Sequence, residues 1–297
     1  MQSVLTLIAP ETAPLGDRIV GEVRAALNTL GAETGQPVWL CDGIAADIGF
    51  EMIAADQAEA AARDAAGRAP IDVIAQQSAS RRKKLLLADM DSTIVTGETL
   101  DDLAAYAGLG DEIAAITARA MNGELDFKEA LRERVGMLKG LAADTLESAY
   151  RQVELSPGAE TLVRTMAAAG AHCVLVSGGF KYFTSRVAGR CGFHADLSNE
   201  FVIEDGKLTG DVIEPILDKD VKLKTLISRA TEHGLSLAET LSVGDGANDL
   251  PMLKAAGLGV AYRGKPSVRA DAPARLDHAD LTGLLYAQGY RVEEFVR

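Results

Sequence analysis

Residues 85–93 read LLLADMDST, an apolar run that ends in two acids, Asp89 and Asp91, two positions apart. An unbroken apolar run bounded by charge predicts a strand buried on both faces, as in a parallel sheet. Ligands of such sheets bind outside the carboxyl ends of the strands, which is where the two carboxylates stand. On an extended segment both can reach one small site, one as a nucleophile and the other to pass a proton. Taken alone, the pair also fits a plain acidic turn after a strand.

Outward from this stretch the chain divides into three zones. From about Glu98 to Ser156 the pattern is helical throughout, punctuated by Gly108, Gly110, Gly123 and Gly140, and predicts a bundle of about four helices. From Pro157 strands and helices alternate again: a helix to about Ala169, the strand HCVLVSGG (172–179), a hairpin around Asp205-Gly206 within 201–216, a helix over 219–232, TLSVGDGAND (240–249) as strand and loop, and a strand over 257–262. Alternation of this kind indicates a doubly wound parallel sheet, so the helical zone interrupts a sheet domain after its first strand, as an inserted cap. Ahead of it, strands at 4–9, 37–40, 45–51 and 71–75 and helices at 16–30 and 54–68 give the order βαββαβ of a ferredoxin-like module. In the first of those helices the apolar spacing is Ile19, Val23, Leu27 and Leu30. The polar and then basic QQSASRRKK (76–84) reads as a linker. The expected division is 1–78 for the front α+β unit, 85–97 with 157–297 for the sheet core, and 98–156 for the cap.

The 297-residue chain has a formal charge of −13 and 47% hydrophobic residues. Global disorder is excluded, and an acidic chain is a poor partner for nucleic acid or an anionic membrane surface. A phosphorylated ligand must then be held by a few placed cations against an unfavourable overall field. Three widely spaced cysteines, with no Cys-x-x-Cys pair, argue against disulfides or a zinc site and suit a reducing cytoplasm. The opening MQSVLTLIAPETA has no basic residue ahead of its apolar stretch and reads as a strand rather than an export signal. No apolar run approaches the ~18 residues that span a bilayer. The four histidines are scattered and form no ligand motif, and Trp39 reads as front-unit core.

Three further places put unusual polar residues at strand ends. Val176-Ser177-Gly178-Gly179 offers a hydroxyl and open backbone amides, a phosphate cradle or a simple glycine turn. Lys222 lies near the start of a helix, where a lone lysine is usually a solvated face residue. Gly244-Asp245-Gly246-Ala247-Asn248-Asp249 supplies oxygen ligands suited to a hard cation such as Mg2+, or caps a following helix through Asn248 or Asp249.

In this order the motifs resemble the haloacid dehalogenase superfamily, whose signature runs Asp-x-Asp-x-Thr, a Ser or Thr after a strand, a Lys, and an acidic Gly-Asp loop. The resemblance spans residues 85–262. DMDST followed by Glu98, the stretch AMNGELDFKEALRERV (120–135), VSGGF and GDGAND narrow it to the branch that hydrolyses O-phospho-L-serine. What the resemblance implies is a nucleophilic Asp89, Asp91 as general acid and then base, and Mg2+ held by the Asp89 carboxylate, the Asp91 carbonyl and Asp245, with Asp249 in support. Ser177, Gly178 and Lys222 hold the phosphate, with Asn248 close by. Glu98 takes the substrate ammonium and Arg134 its carboxylate, with Arg132 a competitor, while Met121 and Phe127 flank the mouth.

The expected reaction is Mg2+-dependent hydrolysis of phosphoserine, the last step of serine biosynthesis. Alternatives are another small phosphomonoester as substrate, transfer to an acceptor alcohol, or a ligand sensor with an inactive phosphatase body. The complete set Asp89, Asp91, Lys222 and Asp245 argues against the last. An ion pump would share the phosphorylated aspartate but needs membrane helices. In this family a front unit of this kind resembles an amino-acid-binding ACT fold, here divergent or shortened. Binding serine, pairing subunits into a homodimer, or only packing on the body are its open roles.

Overall fold

A computed structural model describes residues 2–121, 125–217 and 219–297, apart from the side chains of Ala118, Ala120, Met121 and Lys219. The front unit contains β1 (Ser3–Ile8), α1 (Asp17–Thr29), β2 (Glu33–Thr34), β3 (Val38–Cys41), β4 (Ala45–Glu51), α2 (Ala55–Ala66) and β5 (Asp72–Gln77). Apart from the two-residue β2 this is the expected βαββαβ order. The strands are antiparallel, with β1 between β4 and β5 and with β3 on the far side of β4, the ferredoxin-like arrangement.

Leu5, Leu7, Ile48, Phe50 and Val73 on one sheet face meet Val23, Leu27, Ala58 and Ala62 of the two helices. Ile8, Leu40, Ala45 and Ile74 belong instead to the core of the body. The front sheet is therefore buried on both faces, which is why β1 reads as an almost continuous apolar run. In α1 the buried stripe is Val20, Val23 and Leu27. Leu30, expected to belong to it, lies just beyond the helix and is 52% exposed.

The body starts with β6 (Leu85–Ala88), all of it buried. It is followed by the four cap helices, α3 (Thr99–Tyr106), α4 (Gly110–Met121), α5 (Phe127–Met137) and α6 (Asp144–Tyr150). Then come α7 (Ala159–Ala168), β7 (His172–Phe180), α8 (Lys181–Cys191), β8 (Ala195–Asn199), the hairpin of β9 (Phe201–Glu204) and β10 (Lys207–Val212), and α9 (Lys219–Glu232). The chain closes with β11 (Thr240–Gly244), α10 (Leu250–Ala255), β12 (Leu258–Tyr262), α11 (Pro266–Asp271), β13 (Ala274–Leu276) and α12 (Gly283–Ala287). The sheet order is β13-β12-β11-β6-β7-β8, parallel throughout. From β6 the chain moves first to β7 on one side and later to β11 on the other. This switch point leaves a crevice at the carboxyl ends of the three central strands.

Two features depart from the pattern in the sequence. The hairpin around Asp205-Gly206 packs on the cap: the Gly140 amide donates to Leu208 O, that of Leu208 to Leu141 O, and that of Ala143 to Gly206 O, at 2.8–2.9 Å. Three of the scattered histidines also meet in space, with the His172 ring 4.9 Å from that of His194 and 4.3 Å from that of His233. The first pair is stacked and the second tilted, and the His194 Nδ1 already accepts from the Cys173 amide.

Candidate active site

Asp89 leaves β6 with its amide bonded to Val243 O of β11 at 3.0 Å. The chain then turns sharply, with Ser92 in the left-handed region at φ 54°. Such backbone strain in a non-glycine residue is characteristic of functional turns. The turn aims Asp89 and Asp91 into one crevice. Asp89 Oδ1 accepts from its neighbour's amide (Met90 N, 2.8 Å) and from Lys222 Nζ at 2.6 Å. The same ammonium donates to Asp249 Oδ1 at 2.6 Å, and Asp249 Oδ2 accepts from Gly246 N at 3.0 Å. Asp249 occupies the position before α10 but its side chain does not cap that helix. Its carboxylate serves the site instead.

Burial is the dominant influence on these groups. It pushes Asp89 well above the ordinary carboxylate range, and Asp249 adds to this against the opposing pull of Lys222. Burial alone would lower Lys222, yet the carboxylates of Asp249 and Asp89 raise it overall, so it stays an ammonium. Asp245 is also raised, by burial and then by Asp249. The carboxylates of Asp89, Asp245 and Asp249 approach within 4.8 Å of one another, all buried. Three converging acids against one lysine leave excess negative charge in a dry site, the environment in which a hard divalent cation with oxygen ligands fits.

Asp91 lines the same crevice but stands apart from the cluster of three acids. Its Oδ1 accepts from the Thr99 amide (2.8 Å) and hydroxyl (2.7 Å), and its Oδ2 accepts from Ser177 Oγ at 3.0 Å. Ser177 is itself fixed by the Gly179 amide, which donates to its Oγ at 2.8 Å. Side chains are excluded around it: a Cβ on Gly179 would lie 3.0 Å from Asp91 Oδ2, and one on Gly178 would lie 3.1 Å from the Phe127 ring. The Ser177-Gly178-Gly179 stretch thus presents bare backbone to the cavity.

Asp89, Asp91, Glu98, Phe127, Arg134, Ser177, Gly178, Asp245 and Asn248 line a single cavity of about 130 Å3, and Lys222 lines a small pocket that shares Phe127, Ser177, Gly178 and Asn248 with it. A larger cleft of about 600 Å3 lies between the front unit and the body, lined by Glu11, Cys41, Arg263, His278 and Asp280 among others and by none of the residues that line the smaller cavity. On the cap side, Ser92 Oγ donates to Glu98 Oε1 at 2.7 Å, and burial and then Asp91 push the Glu98 carboxyl up to about 7. Arg134 is 16% exposed, 3.8 Å from Asp101, and its Nε is buried without a partner among the described residues. Arg132, its competitor in the sequence, lies on the surface and pairs with Glu214 at 2.6 Å. The side chain of Met121 lies outside the described residues.

Sequence reasoning missed three residues here. Thr99 fixes Asp91 through two bonds. Asn199, 2% exposed, donates from Nδ2 to Gly178 O and accepts at Oδ1 from the Leu217 amide, both at 2.8 Å, tying the cradle to the segment ahead of α9. Lys265 lines the cavity mouth. Of these only Lys265 had a usable signal, its place just past the carboxyl end of a strand.

Residues 86–254 match the family described as haloacid dehalogenase-like hydrolase. A phosphoserine phosphatase of Streptococcus thermophilus is 46% identical over 202 residues, covering 68% of this chain and 94% of its own. One of Mycobacterium tuberculosis is 46% identical over 209 residues, and the match takes in 70% of this chain but 51% of that protein, so the chain spans about half the length of that relative. Among solved structures, a probable phosphoserine phosphatase from Vibrio cholerae superposes with a TM-score of 0.80 at 29% identity over 99% of this chain and 88% of its own. That likeness includes the front sheet. A substrate-bound phosphoserine phosphatase superposes with a TM-score of 0.65 at 37% identity, covering 69% of this chain and 98% of its own. With the acids after β6, the cradle after β7 and the acidic loop after β11 gathered around one crevice, the chain belongs to the haloacid dehalogenase-like hydrolases.

Proposed function

We propose that the protein is a Mg2+-dependent phosphoserine phosphatase that hydrolyses O-phospho-L-serine to L-serine and phosphate through a phosphorylated Asp89. The observation that carries this reading is the convergence of the Asp89, Asp245 and Asp249 carboxylates, with Lys222 bonded to the first and last of them, and a buried Arg134 nitrogen without a partner among the described residues on the wall of the same cavity. Asp89 Oδ1 is held by Lys222 and the Met90 amide, so Oδ2 is the oxygen free to attack phosphorus. As the P–O bond to serine breaks, Asp91 Oδ2 gives its proton to the departing oxygen. Asp91 then takes a proton from the water that hydrolyses the aspartyl phosphate, regenerating Asp89 and releasing phosphate. Thr99 keeps Asp91 aimed by occupying its other oxygen. Ser177, the Gly178 backbone and Lys222 hold the phosphate oxygens, with Asn248 beside them.

The Asp89 carboxylate, the Asp91 carbonyl and Asp245 would hold the Mg2+, with Asp249, both of whose oxygens already accept bonds, in support. When bound there the ion supplies positive charge against the repulsion between phosphate and nucleophile. Glu98 receives the substrate ammonium and Arg134 its carboxylate, and Phe127 closes the mouth. A substrate lacking those ends would leave buried charges unpaired. The division into a front unit (1–78), a sheet core (85–97 with 157–297) and a cap (98–156) belongs to the same proposal, with the 201–212 hairpin serving the cap. Three free cysteines suit a cytoplasmic setting.

Phosphate release from a panel of small phosphomonoesters, with and without Mg2+, tests the assignment. Strong preference for phosphoserine that disappears on metal removal is expected. Equal rates across the panel would point to a general phosphomonoesterase, and transfer to added alcohols would point to a phosphotransferase.

A further inference from the structure

The cavity is acidic before any substrate arrives. Asp89, Asp91, Glu98 and Asp245 line it and Asp249 lies behind them. Lys222 is already shared between two of these acids, and Arg134 sits beside Asp101. A phosphomonoester dianion entering from solvent meets this local field together with the −13 charge of the chain. Among the described residues the only other cation on the cavity wall is Lys265.

The fold holds Lys265 in place by its backbone. Arg263 takes the left-handed φ of 45° just after β12, Pro266 opens α11, and between them the Lys265 amide donates to Asp245 O at 3.1 Å. Its ammonium is exposed and has no hydrogen bond or ion pair among the described residues. Its charge still acts on both Glu98 and Asp245, so it stands near the mouth and the acidic loop alike. An unpaired lysine so placed is available to an incoming anion, and charges at the rim of a site govern encounter and salt dependence more than the chemical step.

We propose that Lys265 is the capture cation of this cavity, drawing the phosphomonoester dianion past the acidic wall and thereby setting KM. The proposal rests on the reading of the cavity as a phosphomonoester site. Its test uses the full chain and the variants Lys265→Gln, Lys265→Glu and Lys265→Arg. Steady-state kinetics with phosphoserine at ionic strengths of ~0.02 M and ~0.3 M would be set beside the calorimetric Kd for inorganic phosphate. For K265Q at low salt, KM and the phosphate Kd should both rise about threefold to tenfold, with kcat changed less than about twofold and a flatter salt dependence. K265E should be worse than K265Q, and K265R should restore wild-type values. KM, phosphate Kd and salt dependence unchanged in K265Q would overturn the proposal. So would a fall in kcat with phosphate affinity intact, which would assign the Lys265 side chain to the chemical step rather than to capture. If the wild type binds phosphate but does not turn over phosphoserine, the substrate assignment fails, and the phosphate affinities of the variants still decide the role of Lys265.

Discussion

Arg132 and Arg134 are two residues apart on α5, and two steps of an α-helix turn a side chain through about 200°. They therefore face opposite ways, one to solvent and Glu214, the other into the cavity. Arg134→Ala should raise KM for phosphoserine at least ~30-fold, since it removes a buried, charge-assisted partner worth about 2–5 kcal/mol. Arg132→Ala should behave like wild type in the same assay, because exposed ion pairs contribute little. A large effect of Arg132→Ala with a small one of Arg134→Ala would reverse the assignment. Residue types and spacing singled out Asp89, Asp91, Ser177, Lys222, Asp245 and Asp249, because each follows a strand or begins a helix next to one. Thr99 and Asn199 gave no such signal. A threonine after Glu98 and an asparagine before a hairpin are ordinary residues until the chain folds them against Asp91 and Gly178.

At the scale of elements, Asn199 joins the end of β8 to the end of β7 and to the segment leading into α9. One buried amide thus sets the spacing between the phosphate cradle and Lys222. Asn199→Asp keeps the acceptor for the Leu217 amide but cannot donate to Gly178 O. It should lower kcat/KM about tenfold or more and weaken competitive inhibition by phosphate. Wild-type phosphate inhibition in a variant with a reduced melting temperature would limit Asn199 to a structural role. Most elements were legible because the body strands are continuous apolar runs and the helices between them are periodic. The segments over 181–199 and beyond 262 escaped notice. β8 is half-exposed along most of its length and so carries no apolar run, and β13 has only three residues. The attachment of the 201–212 hairpin to the cap was invisible for another reason, since backbone bonds between distant segments leave no mark on composition.

For the whole molecule, the basic end of the linker is a fastener rather than a spacer. Arg81 pairs with both oxygens of Asp47 in the front sheet, at 2.6 and 3.0 Å, and donates to Ala287 O in the body. Nearby, buried Asp72 of β5 accepts from the amides of Asp277, His278 and Ala279, in the loop after β13. Asp72→Ala would strand those donors, so the unfolding free energy should fall by ~2–4 kcal/mol, with kcat retained below the transition. An unchanged denaturation midpoint would mean that solvent satisfies the loop and the joint is loose. Catalysis itself stands on a single covalent event at the centre of this assembly. The decisive measurement is acid-quenched turnover of phosphoserine with Mg2+, followed by mass mapping of the peptides. A phosphoryl group on Asp89, absent from the Asp89→Asn variant together with at least ~10³-fold of its turnover, is the expected result. Steady turnover in Asp89→Asn, or a phosphoryl group trapped on another residue, would contradict it.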